Sequence, residues 1–140
     1  MRDLRACLLL LALWLGWAVE ARAGELSITV TGTPSAEGQL LIAVFDHADR
    51  WLSRPVARAS VRPGEVARIP LAPGTYAVAA VHDANGNGRM DRTALGLPRE
   101  AFGFSRGARA QFGPPAFADA AFEMRGAPAA LTIRLRVRTH

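Results

Sequence analysis

The chain is built around residues 76–91, which read Tyr76-Ala-Val-Ala-Ala-Val81 and then His82-Asp-Ala-Asn-Gly-Asn-Gly-Arg-Met-Asp91. The apolar run predicts a strand, and the polar residues after it predict a tightly curled loop at its end. Four side chains of that loop carry oxygen atoms and alternate with small or flexible residues: Asp83, Asn85, Asn87 and Asp91. A curled loop can direct these oxygens to one centre, which is the arrangement that calcium requires.

The loop matches the first nine positions of the EF-hand type of calcium loop. In such a loop, positions 1, 3 and 5 supply side-chain oxygens, position 6 is glycine for a sharp bend, and position 7 supplies a backbone carbonyl. Position 9 ligates the ion directly or through a water molecule. In this chain these six positions are filled in order by Asp83, Asn85, Asn87, Gly88, Arg89 and Asp91.

One position departs from the pattern. Position 12 of the loop should be a glutamate that binds the ion with both oxygens, and here it is Ala94. A carboxylate from elsewhere would have to complete the site, and Glu100 and Asp119 are the candidates within the following segment. The alternative is a metal-free turn, because Asn and Gly favour tight turns with or without an ion.

Alternation of apolar and polar residues dominates the chain on either side of the loop and predicts half-buried strands. Strands are predicted at 25–31, 39–46, 56–61, 66–71, 75–81 and 131–137, and a helical turn leading into a strand at 116–124. The third and fourth of these strands flank Arg62-Pro-Gly-Glu65, which predicts a hairpin. About seven short strands at this spacing predict an all-β fold, a single Ig-like β-sandwich.

A long insertion, about residues 84–121, separates the strand at 75–81 from the last strands. It is rich in Gly, Pro and Phe, and long loops of this kind are functional or disordered. Four phenylalanines argue against disorder, and we expect them to be buried and to hold the insertion against the sandwich: Phe102, Phe104, Phe112 and Phe117.

The N-terminus has the features of a signal peptide. Arg2 and Arg5 precede a short apolar run, and Ala21-Arg-Ala23 offers a cleavage site that would leave Gly24 as the mature start. A retained anchor is the alternative, but the run is shorter than the roughly 20 residues that a spanning helix needs. We expect residues 1–23 to be removed and residues 24–140 to form one exported domain, periplasmic or extracellular, with no membrane span after cleavage.

Composition narrows the classes of function. The only cysteine, Cys7, lies in the predicted signal segment, so the mature domain would have no disulfide and no thiolate nucleophile. All 17 basic residues are arginine and the net charge is +5, but no clustered basic patch predicts nucleic-acid binding. We expect a monomer whose partner is an envelope protein or a glycan.

The sequence carries no recognisable catalytic motif, and we therefore do not expect an enzyme. A hydrolase that uses Glu100, Asp119 or His82 is the less favoured alternative. A transition-metal site that combines His82 with His47 is a further one, since each histidine ends a predicted strand.

Arg134, Arg136 and Arg138 share one face of the last predicted strand. Such a row could bind an anionic polymer or a lipid headgroup. It is more often the solvated face of an outer strand, where charge also deters pairing between edges.

Four motifs together resemble a known family. They are Leu71-x-Pro-Gly-Thr-Tyr-Ala-Val78, His82-Asp-x-Asn-Gly-Asn-Gly-x-Met-Asp91, Gly96-x-Pro-x-Glu-x-Phe-Gly-Phe-Ser105 and Pro114-Pro-x-Phe-x-Asp-Ala-Ala-Phe122. In this order they resemble the bacterial exported family known as domain of unknown function 2141 (DUF2141), over nearly the whole mature chain. The resemblance implies an envelope β-sandwich similar to transthyretin-like or carboxypeptidase-regulatory-like domains, and it implies no particular activity. Its motif positions fall on Tyr76, His82, Asp83, Asn85, Asn87, Gly88, Asp91, Glu100, Phe104, Ser105 and Asp119.

Overall fold

The computed structural model describes residues 23–88, 100–110 and 112–137, which form eight strands in two sheets. The strands are β1 (Gly24–Thr31), β2 (Gln39–Phe45), β3 (Ala57–Val61), β4 (Ala67–Leu71), β5 (Gly74–Asp83), β6 (Phe102–Phe104), β7 (Phe122–Met124) and β8 (Ala129–Arg134). The helical elements of the described residues are short: a four-residue helix α1 (Phe117–Ala120) and two 3-10 turns at Ala48–Arg50 and Ser105–Gly107.

The two sheets differ in size and in pairing. The smaller sheet has the order β4-β1-β8, with β4 antiparallel and β8 parallel to β1. The larger sheet has the order β3-β2-β5-β6 with antiparallel pairs, and β7 pairs with the first residues of β5. The strand that precedes the loop, β5, thus lies inside the larger sheet.

One apolar core lies between the sheets, because each strand turns alternate side chains toward the other sheet. β1 contributes Leu26, Ile28 and Val30 from the smaller sheet, and β2 contributes Leu40, Ile42 and Val44 from the larger one. The fold class predicted from the sequence, an all-β sandwich, is confirmed. Of the eight strands, β6 is the one that the sequence did not predict.

The predicted hairpin at residues 56–71 is wrong. Both strands form, but β3 pairs with β2 whereas β4 pairs with β1 in the other sheet. The turn between them is tight, since the Glu65 N–H donates to the Arg62 carbonyl at 3.0 Å. Alternation and a turn signal locate two strands, but they do not say which sheet each strand joins.

The last strand is shorter than its apolar pattern predicts. β8 ends at Arg134, and Arg136 then forms an isolated bridge with Phe102 of β6. The chain therefore passes from the smaller sheet to the edge of the larger one. Gly103 permits this approach, because a Cβ there would lie 2.5 Å from the Arg134 carbonyl oxygen.

The described part of the insertion covers the outer face of the larger sheet. Phe104 is buried, and Phe102 and Phe117 are half-buried against Ala77 and Ala79 of β5. These three phenylalanines confirm the expected anchoring of the insertion to the sandwich. Phe112 is an exception: it is fully exposed, so the expectation that it is buried is wrong.

The predicted signal peptide lies outside the described residues, except for Ala23. Among the residues that are described, no helix has the length and apolar character needed to cross a membrane.

Candidate metal-binding loop

The last two residues of β5 are polar, and their side chains lie on opposite faces of the sheet. His82 follows Val78 and Ala80 on the face turned toward the core, and Asp83 lies on the outer face. Both residues are buried, and the Asp83 side chain is fully so. A buried carboxylate requires hydrogen bonds or a cation, because removal of its charge from water is costly.

The loop after β5 supplies hydrogen bonds to that carboxylate. The backbone N–H of Gly88 donates to Oδ2 of Asp83 at 2.6 Å, and the N–H of Asn87 donates to Oδ1 at 3.3 Å. Gln39, directly opposite on β2, donates to Oδ2 through its Nε2 at 3.3 Å. The chain is therefore curled around the Asp83 carboxylate.

Two glycines give the loop its shape. Gly86 and Gly88 have φ angles of 70° and 78°, in the left-handed region that side chains disfavour. The Asn85 side-chain oxygen accepts from the Asn87 N–H at 3.2 Å, which tightens the same turn. The sharp bend predicted at Gly88 is confirmed.

The register of the larger sheet brings Glu100 to the loop. Val81 pairs with Phe102, and the His82 N–H donates to the Ala101 carbonyl at 2.9 Å. Glu100 is the residue before Ala101, so this hydrogen bond brings it next to the end of β5. Ala101 itself packs in the core, and Glu100 before it is half-buried.

Asp119 lies in another part of the molecule. It is exposed on α1, which is tied to the middle of β5 because buried Ser105 donates to the Ala120 carbonyl and accepts from the Val78 N–H. Val78 precedes Asp83 by five residues of extended chain, which is about 16 Å. Of the two candidates for a completing carboxylate, the structure brings Glu100 to the loop and leaves Asp119 apart.

Two of the predicted ligands, Arg89 and Asp91, lie outside the described residues. Within the described ranges, no three His, Asp or Glu side chains form a group that could hold a metal ion. The calcium assignment stays a prediction.

The histidines do not combine into a second site. The Nε2 atom of His82 lies 2.7 Å from the Glu37 carbonyl oxygen, which holds the ring against the β1–β2 connection. His47 instead accepts from the Asp49 N–H at the start of the 3-10 turn after β2. The two residues lie at opposite ends of β2, about 20 Å apart, so the transition-metal site that combines them is wrong.

Trp51 holds the insertion in place. The sequence predicted only that this aromatic side chain is buried, not that it contacts the insertion. Its Nε1 donates to the Pro115 carbonyl at 2.8 Å. The centroid of its ring lies 5.0 Å from the ring centroid of Phe45, 5.9 Å from that of Phe104 and 6.0 Å from that of Phe117. The contacts join the 3-10 turn after β2 to the insertion, far apart in sequence.

The arginines of the last predicted strand are exposed, as predicted, at the two positions that the structure describes. Arg134 and Arg136 are exposed, and Arg138 lies outside the described residues. Arg109 of the insertion lines the same surface cavity as these two residues. No sequence pattern singled out Arg109, because its position beside Arg134 and Arg136 depends on the bridge between Phe102 and Arg136.

A comparison with protein-family models gives one match, over residues 28–132. The matching family is described as "Uncharacterized protein conserved in bacteria (DUF2141)". The match begins within β1, ends within β8 and includes the whole candidate loop. No curated protein matches the chain.

Proposed function

The chain belongs to the DUF2141 family, and we propose that it is an exported β-sandwich module whose loop at residues 83–91 binds one calcium ion. The ion would have a mainly structural role: it would hold the insertion to the end of β5. The surface formed in this way would bind an envelope protein or a glycan, in the periplasm or outside the cell.

The observation that carries the proposal is the position of Asp83. Its carboxylate is fully buried, and the following residues are curled around it by hydrogen bonds from Asn87 and Gly88. In a calcium loop, winding of this kind turns the oxygen-bearing side chains of the first positions toward a shared centre. A carboxylate has about four acceptor sites, and among the described residues three donors bind that of Asp83.

The ligand set would combine loop residues with one from the neighbouring segment. Asp83, Asn85, Asn87 and Asp91 would supply side-chain oxygens, and Arg89 its backbone carbonyl. The hydrogen bond from the His82 N–H to the Ala101 carbonyl, which brings Glu100 next to the end of β5, supports Glu100 as the substitute for the glutamate missing at position 12. Asp119 would not take part, because it lies on α1.

The test is thermal unfolding of protein purified from bacteria that express the full 140-residue chain. Unfolding is measured in EDTA and across a calcium series. Sites with few carboxylates bind calcium with a Kd on the order of 10⁻⁴ to 10⁻³ M. At about 10 mM calcium and a Kd near 10⁻⁴ M, the free energy of unfolding should rise by roughly 2.7 kcal/mol. The rise should saturate, should be smaller with magnesium and should be absent in Asp83→Ala. Equal midpoints with and without calcium would refute the proposal.

A metal-free interaction domain is the second candidate, and one observation favours it. Three donors already satisfy the Asp83 carboxylate: Gln39, Asn87 and Gly88. A turn that is complete without an ion should be equally stable in EDTA and in calcium. The same unfolding experiment therefore separates the two candidates.

A hydrolase has less support. The three residues considered for it take different positions: His82 is buried against the Glu37 carbonyl, Glu100 is half-buried, and Asp119 is exposed on α1. We therefore do not propose catalysis.

A further inference from the structure

A second site lies at the edge where the two sheets meet. A cavity of about 480 Å³ opens beside the bridge between Phe102 and Arg136. Its walls come from β6, from residues 107–110 of the insertion and from residues 134–137 at the C-terminal end of β8. A cavity of this size is within the range of small-molecule sites, about 300 to 1,000 Å³.

Among the described residues, three arginines and no acidic side chain line the cavity. They are Arg109, Arg134 and Arg136. Each is exposed, and in the described part of the chain none has a carboxylate within ion-pair distance. By contrast, Arg68 and Arg125 each pair with a glutamate, at 3.3 and 3.2 Å.

One acidic residue lies in the neighbourhood. Arg109 also borders a shallower cavity that Asp119 lines on the other side of the insertion. No ion pair joins the two residues. Within the described ranges, therefore, no carboxylate pairs with the three arginines of the cavity between β6 and β8. A cleft lined by one sign of charge concentrates ligands of the opposite sign.

The backbone around these arginines is fixed. The Arg136 N–H donates to the Phe102 carbonyl at 2.9 Å, and the Phe102 N–H donates to the Arg136 carbonyl at 3.1 Å. Gly103 lies so close to β8 that a Cβ would contact Ile133 Cγ2 at 2.9 Å. Two of the three arginines thus project from a backbone that is held from both sheets, which is the preorganisation that a binding site needs.

The wall also offers apolar surface. Phe102 is half-buried, with its ring centroid 5.8 Å from that of Phe104. Val137 and Ala108 line the same cavity. A ligand with only a charged head would leave this surface without a contact.

We infer that this cavity binds a small organic phosphate, with its phosphate on the arginines and its apolar body on Phe102. A guanidinium group binds phosphate oxygens through paired N–H donors. A phosphate dianion also neutralises more of the positive charge of several arginines than a single carboxylate does. The site is separate from the calcium loop and does not depend on it.

The test uses phenyl phosphate as the probe, titrated into protein from the full-length chain in EDTA and followed by NMR. Binding should shift the amide signals of residues 102–110 and 134–137, with a Kd of about 1 mM or below. Inorganic phosphate lacks the apolar body, and benzoate has the same ring with a single charge, so both should bind more weakly. No shifts up to about 10 mM phenyl phosphate, or tighter binding of benzoate, would overturn the inference.

The matched variants are Arg134→Gln, Arg136→Gln and Arg62→Gln. Each removes one positive charge from an exposed side chain, but Arg62 lies in the turn after β3, outside the cavity. Loss of a charged hydrogen bond at the site should weaken binding about tenfold in the first two variants and leave the third unchanged. Unchanged affinity in both cavity variants, or equal weakening in Arg62→Gln, would show that no specific site exists.

Discussion

The Asp83 carboxylate and the Gly88 backbone N–H are joined by a hydrogen bond of 2.6 Å that closes the loop after β5. The bond brings residues five positions apart in sequence into contact and places a buried negative charge at the centre of the turn. Replacement of the side chain would leave the donors of Asn87 and Gly88 without their acceptor.

Asp83→Ala should therefore destabilise the protein even without calcium. We expect a loss of about 3 kcal/mol in the free energy of unfolding, since hydrogen bonds to a buried charge are lost and their donors stay unsatisfied. Urea unfolding in EDTA measures this change in the free energy of unfolding. Asp119→Ala is the control, because that carboxylate is exposed, and it should change stability by less than about 0.5 kcal/mol. Equal effects of the two substitutions would contradict the structural role of Asp83.

Tyr76 should titrate above its ordinary range. Burial, and then the negative charge of Asp46, raise the pKa of the Tyr76 phenol above 10.0. Its hydroxyl donates to the Ala72 carbonyl at 2.7 Å. Because it is the only tyrosine in the chain, absorbance of the phenolate near 295 nm reports it directly.

The same shift makes stability depend on pH at the alkaline end. The folded state holds the Tyr76 proton more tightly than the unfolded state, so stability is unaffected below pH 10 and falls as the pH rises toward the folded pKa. Urea should restore an ordinary tyrosine titration. A folded-state pKa at or below the value in urea would contradict the burial of this hydroxyl.

Gly103→Ala should destabilise the edge where the sheets meet. A Cβ at this position would lie 2.5 Å from the Arg134 carbonyl oxygen, so β6 would have to move away from β8. Such overpacking costs about 1–3 kcal/mol. Gly113→Ala is the matched control, because a Cβ there meets no atom within 4 Å. Thermal unfolding of both variants compares them, and equal midpoints would contradict the close approach of β6 and β8.

Ser105→Ala should loosen the attachment of the insertion. The buried hydroxyl joins the Val78 N–H to the Ala120 carbonyl, and alanine leaves both groups without this partner. We expect a loss of about 2 kcal/mol and faster proteolysis within residues 106–121. Exposed Ser53→Ala serves as the control. Unchanged proteolysis in Ser105→Ala would show that α1 is held by other contacts.

The sequence was sufficient to predict the sandwich and the bend at Gly88. Alternation in β1 and β2 reflects burial of one face of each strand against the core, and the bend at Gly88 follows from glycine's access to positive φ. These are local properties, so a single chain segment carries them.

Pairing between distant segments was not predictable in the same way. Nothing in residues 56–71 shows that β3 and β4 join different sheets. The choice of Glu100 over Asp119 depends on the register of β5 with the segment after it, and the cavity with Arg109 depends on the bridge between Phe102 and Arg136. Each of these relationships arises from tertiary packing, which alternation and turn signals do not encode.

The most direct test of the calcium site is isothermal titration of calcium into the metal-free protein, with Glu100→Gln and Asp119→Asn beside the wild type. We expect one ion per chain with a Kd on the order of 10⁻⁴ to 10⁻³ M, at least about tenfold weaker binding in Glu100→Gln, and no change in Asp119→Asn. Absence of calcium binding in the wild type, or weaker binding in Asp119→Asn but not in Glu100→Gln, would contradict this expectation.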